Sequence, residues 1–203
     1  MNKLWISLIF FLIPGMAGSV LAGDLEDLNA ICESCHGPEG ASPYTDVPII
    51  GGQSATYIKG SLQSFQVWGR PCIKSEYRSG DTSRPKTDMC KIAGGLSNED
   101  IQMLSTHYSS RTWVAAPQQF DAGLVEAGAT LHEQHCESCH QQGASAVRVG
   151  PKLAGQWMPY LRHALKFVPT GEHMVPPPME RKLTDFSEEE IDALLNYYAS
   201  QQN

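Results

Sequence analysis

Two pentapeptides of the pattern Cys-x-x-Cys-His constrain this chain more than any other feature. They span Cys32–His36 and Cys136–His140, and both read CESCH. The pattern is typical of haem c attachment, in which two thioethers hold the porphyrin and the histidine ligates its iron. A zinc cluster or a thioredoxin-like redox pair is the alternative, but zinc needs no histidine after each pair and the redox motif requires a βαβ context. The motifs predict two covalent haem c groups, attached at Cys32, Cys35, Cys136 and Cys139 and ligated by His36 and His140.

The two halves of the chain repeat each other around these motifs. Pro48–Gln53 matches Pro151–Gln156, and Leu96–Ile101 matches Phe186–Ile191 at an offset shorter by about 13 residues. Small Gly- and Pro-rich halves with helical apolar periodicity favour a few helices wrapped around a covalently held cofactor. We therefore expect an all-α protein with a signal peptide at 1–22, an N-terminal haem domain at 23–114 and a C-terminal haem domain at 115–203.

Helix signals lie on both sides of each motif. The runs near Leu25–Ala30 and Gly123–His135 are predicted helices that lead into the cysteines. Ser97 and Ser187 each precede an apolar run and have an acidic residue three positions on, which predicts a capping box. Each half is thus expected to begin and end with a helix, and residues 111–119 are the expected linker between the halves.

The first 22 residues indicate export. Lys3 is followed by the apolar run Leu4–Ile13 and by small residues that end at Ala22, the pattern of a cleaved secretory signal. The run is short for the roughly 20 residues of a membrane span, so we expect a periplasmic protein with no span after cleavage. The chain has 15 basic and 22 acidic residues, a net charge of −7, and so lacks the basic surface expected for nucleic-acid binding.

Two cysteines lie outside the haem motifs. Cys72 and Cys90 form an even pair in an expected oxidising compartment, which favours a disulfide. Closing a loop of about 19 residues would stabilise the fold by about 3 kcal/mol in the chain-entropy model. The alternative is two free thiols, one of which could capture a sulfur substrate. Because Cys72 lies in the extra residues of the first half, the disulfide is expected to hold an insertion in place.

The sixth ligand of each iron decides between electron transfer and binding of a substrate or gas. Met89 and Met179 each lie seven residues before the last-helix signal of their half, so the repeat selects them together. Thioether ligation closes the iron and raises its potential, which suits electron transfer. Met174 has no counterpart in the first half, and we expect Met103 in the helix core, because methionine commonly fills gaps there.

The free ring nitrogen of each axial histidine needs an acceptor that fixes its orientation. Pro48 and Pro151 occupy equal places in the repeat, and their carbonyls are the predicted acceptors. Tyr57 and Tyr160, also equivalent, are expected either to reach haem propionates or to pack between the domains. The repeat supports no role for the other histidines, which we expect at the surface or at an interface: His107, His132, His135, His163 and His173.

The chain resembles the dihaem class I cytochromes c of the cytochrome c4 type over nearly all of its length after the signal. The resemblance rests on the two haem motifs, the methionine before each last helix and the duplicated Gly-Gln…Tyr segment. The second half is also similar to the dihaem cytochrome subunit of flavocytochrome c sulfide dehydrogenase. The runs that carry this similarity are Gln119–Asp121, Gly128–His132, Leu153–Leu161, Pro178–Lys182 and Tyr198–Gln202.

This resemblance implies two tandem class I cytochrome c domains and an FAD-containing partner that oxidises sulfide and reduces the haems. The haems would then reduce a soluble or membrane-bound acceptor. The first half departs from the pattern through the inserted loop with Cys72 and Cys90. A free cytochrome c4-type shuttle to a terminal oxidase or reductase is the alternative. The paired methionines disfavour a catalytic cytochrome such as a peroxidase or a thiosulfate-converting enzyme, and no catalytic residue is expected in this electron-transfer subunit.

Overall fold

A computed structural model of the chain describes residues 24–146 and 150–202. The expected signal peptide lies outside these residues. The described part contains eight α-helices and, in place of a sheet, a single isolated bridge between Ser75 and Thr87, so the prediction of an all-α fold is confirmed. The helices are α1 (Leu25–His36), α2 (Ala55–Gln66), α3 (Met89–Gly94), α4 (Asn98–Ser109), α5 (Ala122–His135), α6 (Met158–Lys166), α7 (Pro177–Asp185) and α8 (Glu188–Ser200).

The first four helices pack around one apolar core. Helix α4 supplies its centre through residues at helical spacing, Ile101, Leu104 and Tyr108, each at most 1% exposed. Ile58 and Leu62 of α2 complete that core, and the start of α1 packs against it. Because these apolar residues recur three and four positions apart, each helix presents one stripe to the core.

The last helix of each half begins with the predicted cap. The hydroxyl of Ser97 accepts a hydrogen bond from the N–H of Asp100, whose carboxylate accepts from the N–H of Ser97. Ser187 and Glu190 form the same reciprocal pair at the start of α8. Both capping boxes are therefore confirmed, and they fix the two helices at equivalent residues of the repeat.

Helices α5 and α8 cross closely in the second half. Gly128 lies at the crossing, where a Cβ would overlap the carbonyl oxygen of Ala193 in α8. Ala193, Leu194, Leu195 and Tyr198 are buried on the facing side of α8. The absence of a side chain at Gly128 lets the two backbones approach each other, so this glycine sets the distance between the first and last helices of the second half.

The two halves meet along an apolar seam. Ile49, Ala116 and Trp157 are buried together there, and the indole N–H of Trp157 donates to the carbonyl of Ser42 at 2.8 Å. Residues 111–119, the expected linker, run between α4 and α5 outside the helices and contribute Ala116 to the seam. The loops that carry the repeated Gly-Gln segments therefore face each other across the seam.

Tyr57 and Tyr160 also meet at this seam. Burial raises the pKa of Tyr160, and the neighbouring Tyr57 hydroxyl adds to this rise. The guanidinium of Arg70 donates to Ser61 Oγ at 2.7 Å and to the Tyr57 hydroxyl at 3.4 Å. This tyrosine pair was expected either at the haem propionates or between the domains, and in the structure it lies between the two halves.

Within the described residues, no helix combines the length and the apolar composition that a membrane span requires.

Candidate haem-binding sites

The first haem motif forms about the last one and a half turns of α1. The helix ends at Gly37, whose φ of 74° is accessible to glycine at little cost. His36 is buried, and its Nδ1 lies 2.9 Å from the carbonyl oxygen of Pro48. A carbonyl only accepts, so Nδ1 carries the proton and the lone pair of Nε2 is left for a metal. Burial also lowers the pKa of His36, which keeps the imidazole in the neutral form that binds iron.

The second motif lies on a turn that follows α5, because this helix ends at His135. Two helix-like hydrogen bonds remain, from the N–H of Cys136 to the carbonyl of His132 at 2.8 Å and from the N–H of His140 to the carbonyl of Cys136 at 2.9 Å. His140 is buried, burial lowers its pKa, and its Nδ1 lies 3.4 Å from the carbonyl oxygen of Pro151. A Cβ at Gly150 would lie 2.5 Å from the ring, so glycine allows the loop to pass the histidine.

The glutamate inside each motif anchors the loop that follows it. Glu33 accepts a hydrogen bond from the N–H of Glu39 at 2.7 Å, and Glu137 accepts from the N–H groups of Gln142 and Gly143 at 2.7 and 3.1 Å. Glu39 and Gln142 both adopt left-handed backbone conformations, with φ of 57° and 55°. This role was not predicted, although both motifs carry the same glutamate at the same place.

His132 is a buried residue, so its predicted position at the surface or an interface was wrong. Its Nδ1 lies 3.0 Å from the Tyr198 hydroxyl, and its Nε2 lies 2.8 Å from a carboxylate oxygen of Glu137. The close crossing of α5 and α8 encloses this face of α5, which the sequence of α5 alone does not show. The remaining four histidines, His107, His135, His163 and His173, are half-buried or exposed.

None of the four motif cysteines is in a disulfide, so all four sulfur atoms are available for thioether bonds to haem. Burial raises the pKa of Cys32 to about 11 and also raises the pKa of Cys136, so both are protonated at neutral pH. The first cysteine of each motif contacts the tyrosine of the last helix in its half, Tyr108 or Tyr198. In each motif two thiols lie within one or two turns of a neutral, oriented imidazole. This arrangement fits a covalently attached haem c.

A cavity of about 330 Å³ lies beside the first motif. Cys32 lines it together with Leu28 and Ile31 of α1, and Ile92 and Leu96 lie on the opposite side. The lining is largely apolar, as expected for space that takes up a porphyrin face. The cavity therefore agrees with attachment of a haem at the first motif.

The two candidate methionine ligands begin equivalent helices. Met89 is the first residue of α3 and packs against the first core, while Met179 lies in the first turn of α7 and is half-buried. Met103, which was expected in the core, is half-buried, because Ile101 and Leu104 take the inward positions of α4. Met174 is 69% exposed. Ligation by Met89 and Met179 stays a prediction.

Cys72 and Cys90 are joined by a disulfide, with their Cα atoms 5.5 Å apart. Cys90 is the second residue of α3, directly after Met89. The cross-link therefore ties the inserted loop to the helix that carries the candidate axial methionine. Along this loop the chain also pairs with itself at the isolated bridge between Ser75 and Thr87.

We expect the double substitution Cys72→Ser and Cys90→Ser to lower the free energy of unfolding by about 3 kcal/mol, because the unfolded chain regains the entropy of an 18-residue separation. Denaturant unfolding of the haem-loaded protein measures this. Ile73→Ser, at an exposed position of the same loop, is the control and should change little. Alkylation without reduction followed by mass spectrometry tests the bond itself, and two labelled thiols in the wild type would exclude it.

Comparison with known proteins shows which proteins this chain is similar to. A family model described as cytochrome C oxidase, cbb3-type, subunit III matches residues 123–197. Cytochrome c4 of Stutzerimonas stutzeri is 28% identical, over 97% of this chain and 98% of that protein. Cytochrome c-554(548) of Halomonas halodenitrificans is 35% identical over 47% of this chain and 99% of its own length. The similarity to cytochrome c4 therefore covers nearly the whole chain, and the similarity to cytochrome c-554(548) covers about half of it.

Solved structures similar to this chain include cytochrome c4, as its sequence relatives do. Reduced recombinant cytochrome c4 from Pseudomonas stutzeri superimposes with a TM-score of 0.68 at 25% identity, over 89% of this chain and all of that one. The thiosulfate dehydrogenase TsdBA from Marichromatium purpuratum shares the fold with a TM-score of 0.64 at 24% identity. This chain covers 36% of that protein.

Two haem-attachment motifs in two helical halves define a dihaem cytochrome c, an electron-transfer protein with two covalently bound haem c groups. With the full-length likeness to cytochrome c4, the chain belongs to the dihaem class I cytochromes c of the cytochrome c4 type. The predictions of the family and of the two haem c groups are confirmed.

Proposed function

We propose that this chain is a periplasmic electron carrier in which His36 and Met89 ligate one iron and His140 and Met179 the other. The observation that carries the proposal is the shared register of the halves. Each axial histidine lies next to a proline carbonyl, and each methionine lies at the start of the helix before the capped last helix. When bound, haem c supplies a one-electron couple.

The residues of the chain hold and orient that group in this proposal. The four motif thiols form the thioethers, and the carbonyls of Pro48 and Pro151 fix the Nδ1–H tautomer of the histidines. A thioether as sixth ligand keeps gases and substrates off the iron and favours the reduced state. The disulfide ties the inserted loop to α3, the helix whose first residue, Met89, would supply the thioether.

The compartment and the domain limits belong to the same proposal. The signal pattern at residues 1–22 supports export to the periplasm. The disulfide supports an oxidising compartment. The division at residues 23–114 and 115–203 is supported by two separate apolar cores, one among α1–α4 and the other among α5, α6 and α8.

We further propose that the electron donor is an FAD-containing, sulfide-oxidising flavoprotein. With a histidine and a methionine on each iron, neither iron has a free position for sulfide. Another protein must therefore oxidise sulfide and pass its electrons on one at a time. The similarity of the second half to the cytochrome subunit of flavocytochrome c supports this donor, and it includes Leu153–Leu161 at the seam. A free cytochrome c4-type shuttle to a terminal oxidase or reductase is the second candidate, and the match to cytochrome c4 over 97% of this chain favours it.

Stopped-flow reduction of the haems separates the two candidates. The dihaem protein is mixed with sulfide, with and without the candidate FAD protein, and haem absorbance is followed. We expect the flavoprotein to raise the rate of reduction at least tenfold, about 1.4 kcal/mol in activation free energy. Thiosulfate replaces sulfide as the substrate control. Equal rates with and without the flavoprotein, or no reduction with it, would exclude the flavoprotein donor and leave the shuttle.

A further inference from the structure

We propose that two glutamines at the seam, Gln53 and Gln156, each strengthen the hydrogen bond of the axial histidine in the opposite half. Each half of the molecule would thereby tune the potential of the other half's haem. The inference rests on the proposed ligation by His36 and His140, and it concerns side chains that do not touch the haem-attachment motifs themselves.

Gln156 acts on the first half through a single peptide group. The carbonyl of Pro48 accepts from His36 Nδ1 at 2.9 Å, and the N–H of the same peptide, that of Ile49, donates to Gln156 Oε1 at 3.0 Å. The amide Nε2 of Gln156 donates in turn to the carbonyl of Ile49 at 2.9 Å. Axial histidine, peptide and glutamine of the other half thus form one continuous chain of hydrogen bonds.

Gln53 makes the equivalent chain in the other direction. The carbonyl of Pro151 lies 3.4 Å from His140 Nδ1, and the N–H of that peptide, belonging to Lys152, donates to Gln53 Oε1 at 2.8 Å. Gln53 Nε2 donates to the carbonyl of Lys152 at 2.9 Å. Both glutamines are only 2% exposed, so water does not compete for these bonds.

The orientation of each glutamine amide is fixed by its partners. Oε1 of Gln156 faces two backbone N–H groups, those of Ile49 and of Trp157, the latter at 3.0 Å. Turning the amide round would place its NH₂ group against these donors and leave the carbonyl of Ile49 without its donor. A buried polar group without a partner is destabilising, so the oxygen stays directed at the Ile49 peptide.

This arrangement has a defined electronic consequence. A peptide whose N–H is bonded to an acceptor is polarised, and its carbonyl becomes a stronger acceptor. A stronger acceptor at Nδ1–H makes the histidine a more basic iron ligand. A more basic ligand stabilises the oxidised iron and lowers the potential. Each glutamine is therefore expected to lower the potential of the haem in the opposite half, and its removal should raise that potential.

The test is a crossed pair of substitutions in the haem-loaded protein. Gln156→Met should raise the potential of the haem at Cys32 and Cys35, and Gln53→Met should raise that of the haem at Cys136 and Cys139. We expect about a threefold change in the ratio of oxidised to reduced haem. Because a tenfold change corresponds to 59 mV for one electron, this is a shift in potential of about 30 mV. Spectroelectrochemistry gives both potentials, and NMR assignment of the haem methyl groups identifies each haem.

Gln118→Met is the matched control. Gln118 lies at the same seam and binds backbone in the same way, through Nε2 to the carbonyl of Gln156 at 2.7 Å and through Oε1 to the N–H of Met158 at 2.8 Å. Gln118 is one peptide farther from His36 than Gln156, because it binds the Gln156–Trp157 peptide, whose N–H donates to Gln156 Oε1. This substitution should lower stability while shifting the potential of the first haem less than Gln156→Met does, which separates loosening of the seam from tuning of the ligand.

A second readout and a second variant keep the test decisive if Gln156→Met folds poorly. The Nδ1 proton of His36 should exchange faster with solvent in Gln156→Met than in the wild type, as seen by NMR of labelled histidine. Gln156→Glu keeps an oxygen acceptor, so its potential should lie at or below that of the wild type. A shift in the substituted half's own haem, equal shifts in both haems, or no shift in a folded protein would overturn the inference. A wild type without histidine–methionine ligation would instead overturn the proposed function.

Discussion

Replacing Met89 or Met179 with alanine is expected to open one iron and lower one potential while the other haem keeps its properties. A thioether favours reduced iron, and axial ligands move haem potentials over about 0.8 V, so we expect a fall on the order of 0.1 V for the affected haem. After reduction the opened iron should bind carbon monoxide. A redox titration and a carbon monoxide difference spectrum on the same sample measure both effects.

Met174→Ala is the control for this experiment. Its side chain is 69% exposed, and only its backbone N–H is bonded, to the carbonyl of Gly69 at 2.8 Å. It should bind no carbon monoxide and leave both potentials unchanged. Ready binding of carbon monoxide at both irons of the wild type would refute the ligand assignment. So would a haem assay that finds one haem per chain.

Gly128→Ala is expected to destabilise the second half by about 1–3 kcal/mol, the usual cost of overpacking. The new methyl group would overlap the Ala193 carbonyl, so α5 and α8 would have to move apart. Such a shift also disturbs His132 and its bonds to Tyr198 and Glu137. Denaturant unfolding, followed through the haem absorbance and through helical circular dichroism, measures the loss.

Gly60→Ala provides the matched control for this second prediction. Gly60 lies inside α2, and a Cβ there would meet no atom within 4 Å. The substitution should stabilise the protein by about 0.5–1 kcal/mol, because alanine has the higher helix propensity. The two changes are chemically identical and should differ in sign. A stabilising effect at both positions would show that the helix crossing does not depend on Gly128.

The first and last helices of each half, and the caps of the last helices, could be predicted because their signals are local. Ser97 and Ser187 lie three residues before their acidic partners, and the capping box needs no other part of the chain. The haem motifs are equally local, since five consecutive residues carry the attachment chemistry. Duplication made these signals stronger, because the same pattern appears twice in equivalent places.

The partners of buried polar residues could not be predicted, because they are set by packing between distant segments. His132 looks like an ordinary helix residue until α8 covers it with Tyr198. Gln53 and Gln156 were recognisable as equivalent residues, yet nothing in their own segments shows that each binds the other half. Met103 was misplaced for a related reason, since its neighbours Ile101 and Leu104 occupy the inward face of α4.

The reciprocal contacts of Gln53 and Gln156 bear on how such a chain evolved. In a symmetric homodimer the same residue of each subunit binds the same site on the other, which is the pattern that these glutamines keep within one polypeptide. Cytochrome c-554(548), at 99% of its length, matches only 47% of this chain. Duplication and fusion of a gene for a self-associating ancestor would produce this seam. Because only the first half carries the disulfide-bonded loop, the surroundings of the two haems differ despite the repeat.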